Sequence, residues 1–116
     1  MTGGGFLRVP NRVIDTHLPG LRDTELRVLL VVLRQTLGWQ GEQAGTYKAR
    51  DWISHGAMCR RTGRAGAAVS AAVDALVRQN LIVVEDALGK SLPTTEARRR
   101  HLGRLFYRAG DDLSLP

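Results

Sequence analysis

Arginine supplies the chemistry this sequence is best equipped to do. Arg60, Arg61 and Arg64 bracket Gly63, while the stretch 90–108 carries Lys90, Arg98, Arg99, Arg100, Arg104 and Arg108 against the single carboxylate of Glu96. A guanidinium holds its N–H donors in a planar fork that matches phosphate oxygens, so two such groups flanking one element suit a polyanionic backbone. The whole chain agrees in sign, with 17 basic against 11 acidic residues and a formal net charge of +6. Either cluster alone also fits a solvated face; the two together favour a polyanionic partner.

The other reactive side chains do not assemble. His17, His55 and His101 fall on different predicted elements without metal-ligand spacing, and Cys59 takes a packing position. The glycines at 3–5 precede no strand-to-helix phosphate loop, and no paired carboxylates suggest acid–base work. A non-catalytic chain is expected, with no metal and no cofactor. The single cysteine excludes an intrachain disulfide and suits a reducing cytoplasm. The longest apolar run, 28–33, is too short to cross a bilayer, so no membrane partner is expected.

Two short helices about a glycine turn, followed at once by a strand, have to carry the first arginine cluster. Ile53, Met58 and Cys59 precede Gly63, and Val69, Val73, Leu76 and Val77 follow it at three-and-four spacing, which predicts a second helix over about 65–79. A helix-turn-helix needs a small residue where the helices cross, a turn residue tolerant of positive φ, and apolar anchors on the second helix; Cys59, Gly63 and Val69 fill these roles. Ser54 is suited to cap the first helix, Asn80 to end the second in the left-handed conformation, and 81–85 to form a strand. The predicted fold is α+β and mainly helical: a winged helix-turn-helix with a short two- or three-stranded antiparallel wing sheet. That architecture is used mainly to dock on duplex DNA.

The second cluster belongs to the wing, with 81–85 as its first strand and 103–108 as its second. Within the long connection, Thr94 or Thr95 is suited to cap one helical turn with Glu96 near its start. Lys90, Arg98, Arg99 and Arg100 would then reach phosphates beyond the groove taken by the helix.

The helix that should read bases is nearly blank. Its expected exposed side holds Gly66, Ala67, Ser70, Ala71, Asp74 and Arg78, whereas guanine readout needs Arg or Lys and adenine readout needs Asn or Gln. Ser70, with Arg64 and Arg78 at the two ends, offers the available hydrogen bonds, and Asp74 would repel a phosphate it faced. Binding is therefore expected to rest on Arg60, Arg61, Arg64 and the wing, contacts that position a protein without specifying sequence. The competing reading takes Gly66, Ala67 and Ala71 as a flat face for another protein, with Ala68, Ala72 and Ala75 filling the interior between helices.

Upstream, the lead 1–5 is glycine-rich and 6–9 should be extended before Pro10. Asn11 can cap a short helix through Thr16 that Pro19 and Gly20 end. Asp23 should cap a scaffold helix with a stripe of Leu26, Leu29, Leu30, Leu33 and Leu37, broadened by Val28, Val31 and Val32 and closed by Gly38. Trp39 is expected to fold back on that helix, 46–48 to form a short strand, and Trp52 to anchor the core. A single domain over 6–109 with a tail at 110–116 follows.

Phe6-Leu-Arg-Val-Pro-Asn11, Glu25-Leu-Arg-Val-Leu-Leu30, Leu37-Gly-Trp39, Asp51-Trp-Ile-Ser54, Thr62-Gly63 and Leu81-Ile82 together resemble the amino-terminal domain of bacteriophage replication protein O and related plasmid or phage initiators. The resemblance covers about 6–84 and implies an origin-binding winged helix that recognises repeated sites in duplex DNA, with nothing catalytic. Such initiators carry a further helicase-recruiting region for which the seven residues after Ala109 leave no room, so a complete initiator is not expected. The readings left open are a replication or regulatory DNA binder of a mobile element, acting alone or as a homodimer, and a protein-docking adaptor, subunit or inhibitor of a larger nucleoprotein complex.

Overall fold

The computed structural model describes residues 5–36 and 50–113. Helix α1, Asp23–Thr36, is the scaffold. It buries Val28, Leu29, Val32, Leu33 and Thr36, a stripe rotated toward the valines. Leu30 falls off the edge of that stripe and is 36% exposed, a departure from the sequence expectation. Asp23 does not cap the helix, which begins at Asp23 itself. Glu25 reaches back instead, accepting from the Arg22 backbone N–H at 3.0 Å. Before α1, residues 11–12 open an irregular helix wound as a π-helix over Val13–His17 and a 3-10 turn over Leu18–Gly20. It runs past the predicted end at Thr16 to Gly20.

Helices α2, His55–Thr62, and α3, Gly66–Arg78, pack on α1, and α3 buries Val69, Ala72, Val73 and Leu76. A three-stranded antiparallel sheet closes the core in the order β1 (Asp51–Trp52), β3 (Phe106–Ala109), β2 (Ile82–Glu85). Asp51 pairs with Tyr107, and Tyr107 with Val84, so β3 is the central strand. The result is α+β, mainly helical and winged-helix-like, with the core running through Leu29, Leu33, Met58, Leu76, Ile82 and Tyr107.

Three local expectations change. Strand β1 lies at Asp51–Trp52, where no strand was expected, while the expected strand at 46–48 and the packing of Trp39 fall outside the described residues. Trp52 alternates outward along β1, 41% exposed, with the Arg104 guanidinium 4.2 Å over its ring, so it is not a core anchor. The folded body also continues past Ala109. The Gly110 N–H donates to the Leu81 carbonyl at 2.9 Å, and a Cβ on Gly110 would lie 2.1 Å from the Asn80 carbonyl oxygen. That close approach brings the 3-10 turn Asp111–Leu113 back onto the core, where Leu113 is 1% exposed. Burial of one leucine contributes about 2 kcal/mol.

Candidate nucleic-acid interface

The helix-turn-helix forms as its residue types require. Ser54 Oγ accepts from the Ala57 N–H at 3.0 Å, and α2 ends at Gly63 with φ 70°, ψ 29°. That left-handed geometry would cost a non-glycine residue about 1–2 kcal/mol. Two hydrogen bonds then return to the Cys59 carbonyl, from the Gly63 and Arg64 N–H groups. Helix α3 starts on Ala65, which makes no side-chain cap, and ends just before Asn80 at φ 60°.

The turn is tied to the scaffold through Asp23. Its carboxylate accepts from Arg64 and, at 3.1 Å, from Arg27, whose Nη1 also donates to the Thr62 carbonyl at 2.7 Å. The hydrogen bond from Arg64 leads the causes that hold the Asp23 carboxyl below its ordinary value. Arg64 is thus a tie between α1 and the turn, with a partly exposed side chain. Arg61 donates to Gln35 Oε1 at 2.7 Å. Arg60 has no ion pair among the described residues, and its guanidinium lies over Gly56, where an added Cβ would come within 3.3 Å of Nη1.

The wing connection is more ordered than a loop. The chain turns tightly after β2: Asp86 Oδ1 accepts from the Leu88 and Lys90 N–H groups at 2.9 and 2.8 Å, and Gly89 takes φ 88°. Lys90 is exposed at this turn, and the Leu92 N–H returns to the Val84 carbonyl at 2.8 Å. Helix α4, Thr95–Arg100, follows, capped by Thr94 Oγ1 on the Ala97 N–H at 3.1 Å.

Helix α4 is clamped against α3 by one side chain, and this corrects the reading of Arg98. Its side chain is 7% exposed; Nη2 donates to Asp74 Oδ1 at 2.8 Å and Nη1 to the Leu92 carbonyl at 2.9 Å. Thr95 Oγ1 donates to the same Asp74 oxygen at 3.0 Å, and Arg78 pairs with Oδ2 at 3.0 Å. Desolvation acts to raise the Asp74 carboxyl, but the Thr95 and Arg98 hydrogen bonds outweigh it and the net shift is downward. Arg98 is a buried strut, unavailable to phosphate in this arrangement, and Asp74 is neutralised. Arg99 and Arg100 remain exposed, Arg100 held loosely by Glu96 at 3.7 Å.

Of the α3 residues, Ala67 and Ala71 are exposed, Gly66 and Ser70 half-buried, and Arg78 is exposed at the far end. Ala72 is buried, with Ala68 and Ala75 half-buried. The structure brings Ser70 and Arg99 to one cleft together with His55 and Tyr107, neither of which the residue pattern singled out. It leaves Lys90 on the separate 86–90 turn. Sequence reasoning also missed Arg50, which donates to Glu85 at 2.8 Å and to the Asp86 carbonyl at 2.6 Å, and whose guanidinium lies 4.3 Å over the Phe106 ring. The lone Glu85 on an apolar strand was the available signal, since Arg50 and Arg108 both converge on it at 2.8 Å.

A model of the family described as bacteriophage replication protein O matches residues 2–95. The chain belongs to the bacteriophage replication protein O family. The match takes in the helix-turn-helix and β2 and closes at the first residue of α4, so the clamp residue Arg98 and strand β3 lie beyond it. No curated protein and no solved structure matches the chain. Membership places this bacteriophage replication protein O relative among phage replication proteins. Among the described residues no helix is long and apolar enough to cross a membrane.

Proposed function

We propose that this member of the replication protein O family is a non-catalytic module that grips duplex DNA through its phosphates and contributes to replication from that position. One observation carries the reading: Arg60 and Arg99 are both exposed and have no ion pair among the described residues, and both lie close to His55 at the start of α2. Arg60 lies over Gly56 beside His55, which shares a cleft with Arg99. Arg61, Arg100 and Arg104 add exposed positive charge. With Asp74 engaged, the face of α3 carries no free carboxylate to repel a backbone. The alanines of α3 can touch thymine methyl groups but cannot discriminate bases strongly, so sequence preference requires self-association or a partner.

The test is affinity for a mixed-sequence duplex against salt. Changing Arg60, Arg61 and Arg99 together to alanine is expected to lower the log–log salt slope by roughly one unit for each phosphate that is no longer neutralised. Unchanged slope and affinity would refute the reading. The exposure of Ala67 and Ala71 supports a second reading, in which this face of α3 packs on a protein of a nucleoprotein complex. Ala67→Trp would then abolish partner capture and leave the salt slope on DNA unchanged.

A further inference from the structure

Between α3, α4 and the start of α2 lies a cleft of about 330 Å3, within the size range of ligand-binding pockets. Its floor is Val73, Leu105 and Tyr107, and its rim carries His55, Ser70 and Arg99. The wall is rigid, because Thr95 and Arg98 on the same side are held by Asp74 and the Leu92 carbonyl. Tyr107 is 3% exposed, yet its hydroxyl has no hydrogen-bond partner among the described residues. The hydroxyl is not a fully buried unpaired atom but opens onto the cleft, where it can donate to a ligand. Burial pushes its pKa up to about 12, which keeps the proton on the oxygen. Ser70 Oγ and the Arg99 guanidinium are likewise without partners among the described residues.

An apolar floor under a rim of donors and positive charge suits a ligand with a carbon face and an anionic edge. The sugar–phosphate unit of DNA has both: deoxyribose carbons for Val73 and Leu105, and phosphodiester oxygens for Ser70, Arg99 and His55. We propose that the cleft seats one deoxyribose-phosphate unit of the strand passing between α3 and the wing, an inference that rests on the duplex-DNA reading above. The seat sets how the helix lies on the duplex when the helix itself reads few bases. It also gives Arg98 a purpose, since the clamp on Asp74 holds α4 at the spacing the seat needs.

Two measurements on the full chain test this. In amide NMR, thymidine 5′-monophosphate is expected to give saturable shifts confined to Ser70, Val73, Arg99 and Leu105, with much smaller shifts from thymidine, which lacks the phosphate. Ser70→Met, which fills the cleft, should weaken duplex binding about tenfold with the melting temperature retained, and Tyr107→Phe should weaken it less. Should Ser70→Met fail to fold, the smaller Ser70→Val, which crowds the same cleft and removes the hydroxyl, provides the same comparison. Duplex binding unaffected by these changes overturns the seat and leaves the DNA reading standing. A wild-type chain that binds no duplex overturns the DNA reading and the seat with it, while scattered or non-saturable monophosphate shifts on a chain that does bind duplex refute the seat alone.

Discussion

Arg60, Arg61 and Arg64 around the turn and Arg98, Arg99 and Arg100 on α4 look interchangeable as sequence, and the structure uses them differently. Each triplet commits one guanidinium to an aspartate on another helix, but Arg64 meets Asp23 at a largely exposed site, whereas Arg98 is buried against Asp74. The turn has a second source of shape, the left-handed glycine with its returning hydrogen bonds. Helix α4 is six residues long, too short to hold itself, and depends on its one buried ion pair. Basic residues in a row therefore divide into struts and binders according to whether a carboxylate waits on the neighbouring element.

The comparison breaks most sharply at Arg98. Arg98→Ala leaves Asp74 with only Thr95 and Arg78, frees the Leu92 carbonyl and should destabilise by about 3 kcal/mol through the two lost charged hydrogen bonds, read as a lower midpoint in urea unfolding. A loss no larger than that of an exposed arginine would show that the clamp is idle. The turn's own dependence is on Gly63, where Gly63→Ala should cost about 1–2 kcal/mol with the sheet intact; an unchanged midpoint would mean the left-handed geometry is not needed.

Acid distinguishes the two anchors next. Asp23 and Asp74 both titrate below the ordinary value of 3.8 in the folded chain, so the unfolded chain binds more protons below that pH. Their contribution is complete above the unfolded value and is lost as pH falls through the folded ones. Asp74→Asn should flatten the acid fall in melting temperature more than Asp23→Asn does, and equal flattening would erase the distinction. The smallest effect belongs to Arg64→Ala, which breaks an exposed pair and should cost less than about 1 kcal/mol by the same unfolding measurement.

How much of this was legible depends on the distance over which each feature is decided. The helix-turn-helix was legible because Ser54, Gly63, Asn80 and the spacing Val69, Val73, Leu76 act within one or two turns of chain. Strand β1 was not, because two residues carry no periodicity and Asp51–Trp52 becomes a strand through pairing with β3, more than fifty residues on. The blank reading face was visible in composition. That Arg98 is a strut and Arg99 has no ion pair among the described residues was not, since neighbouring helical residues point about 100° apart and a carboxylate on α3 decides which one is captured.

Sequence alone determined the element order, the turn chemistry, the sign of the charge and the poverty of α3 in base-reading side chains, because these are properties of residue type and short-range spacing. The tertiary structure decided which arginines are engaged and which remain free, that Trp52 faces outward, that Gly110 returns Leu113 to the core, and that His55, Ser70, Arg99 and Tyr107 share a cleft. Each of those depends on a partner brought from elsewhere in the chain, and a charge has no assigned role until its counter-charge has a position.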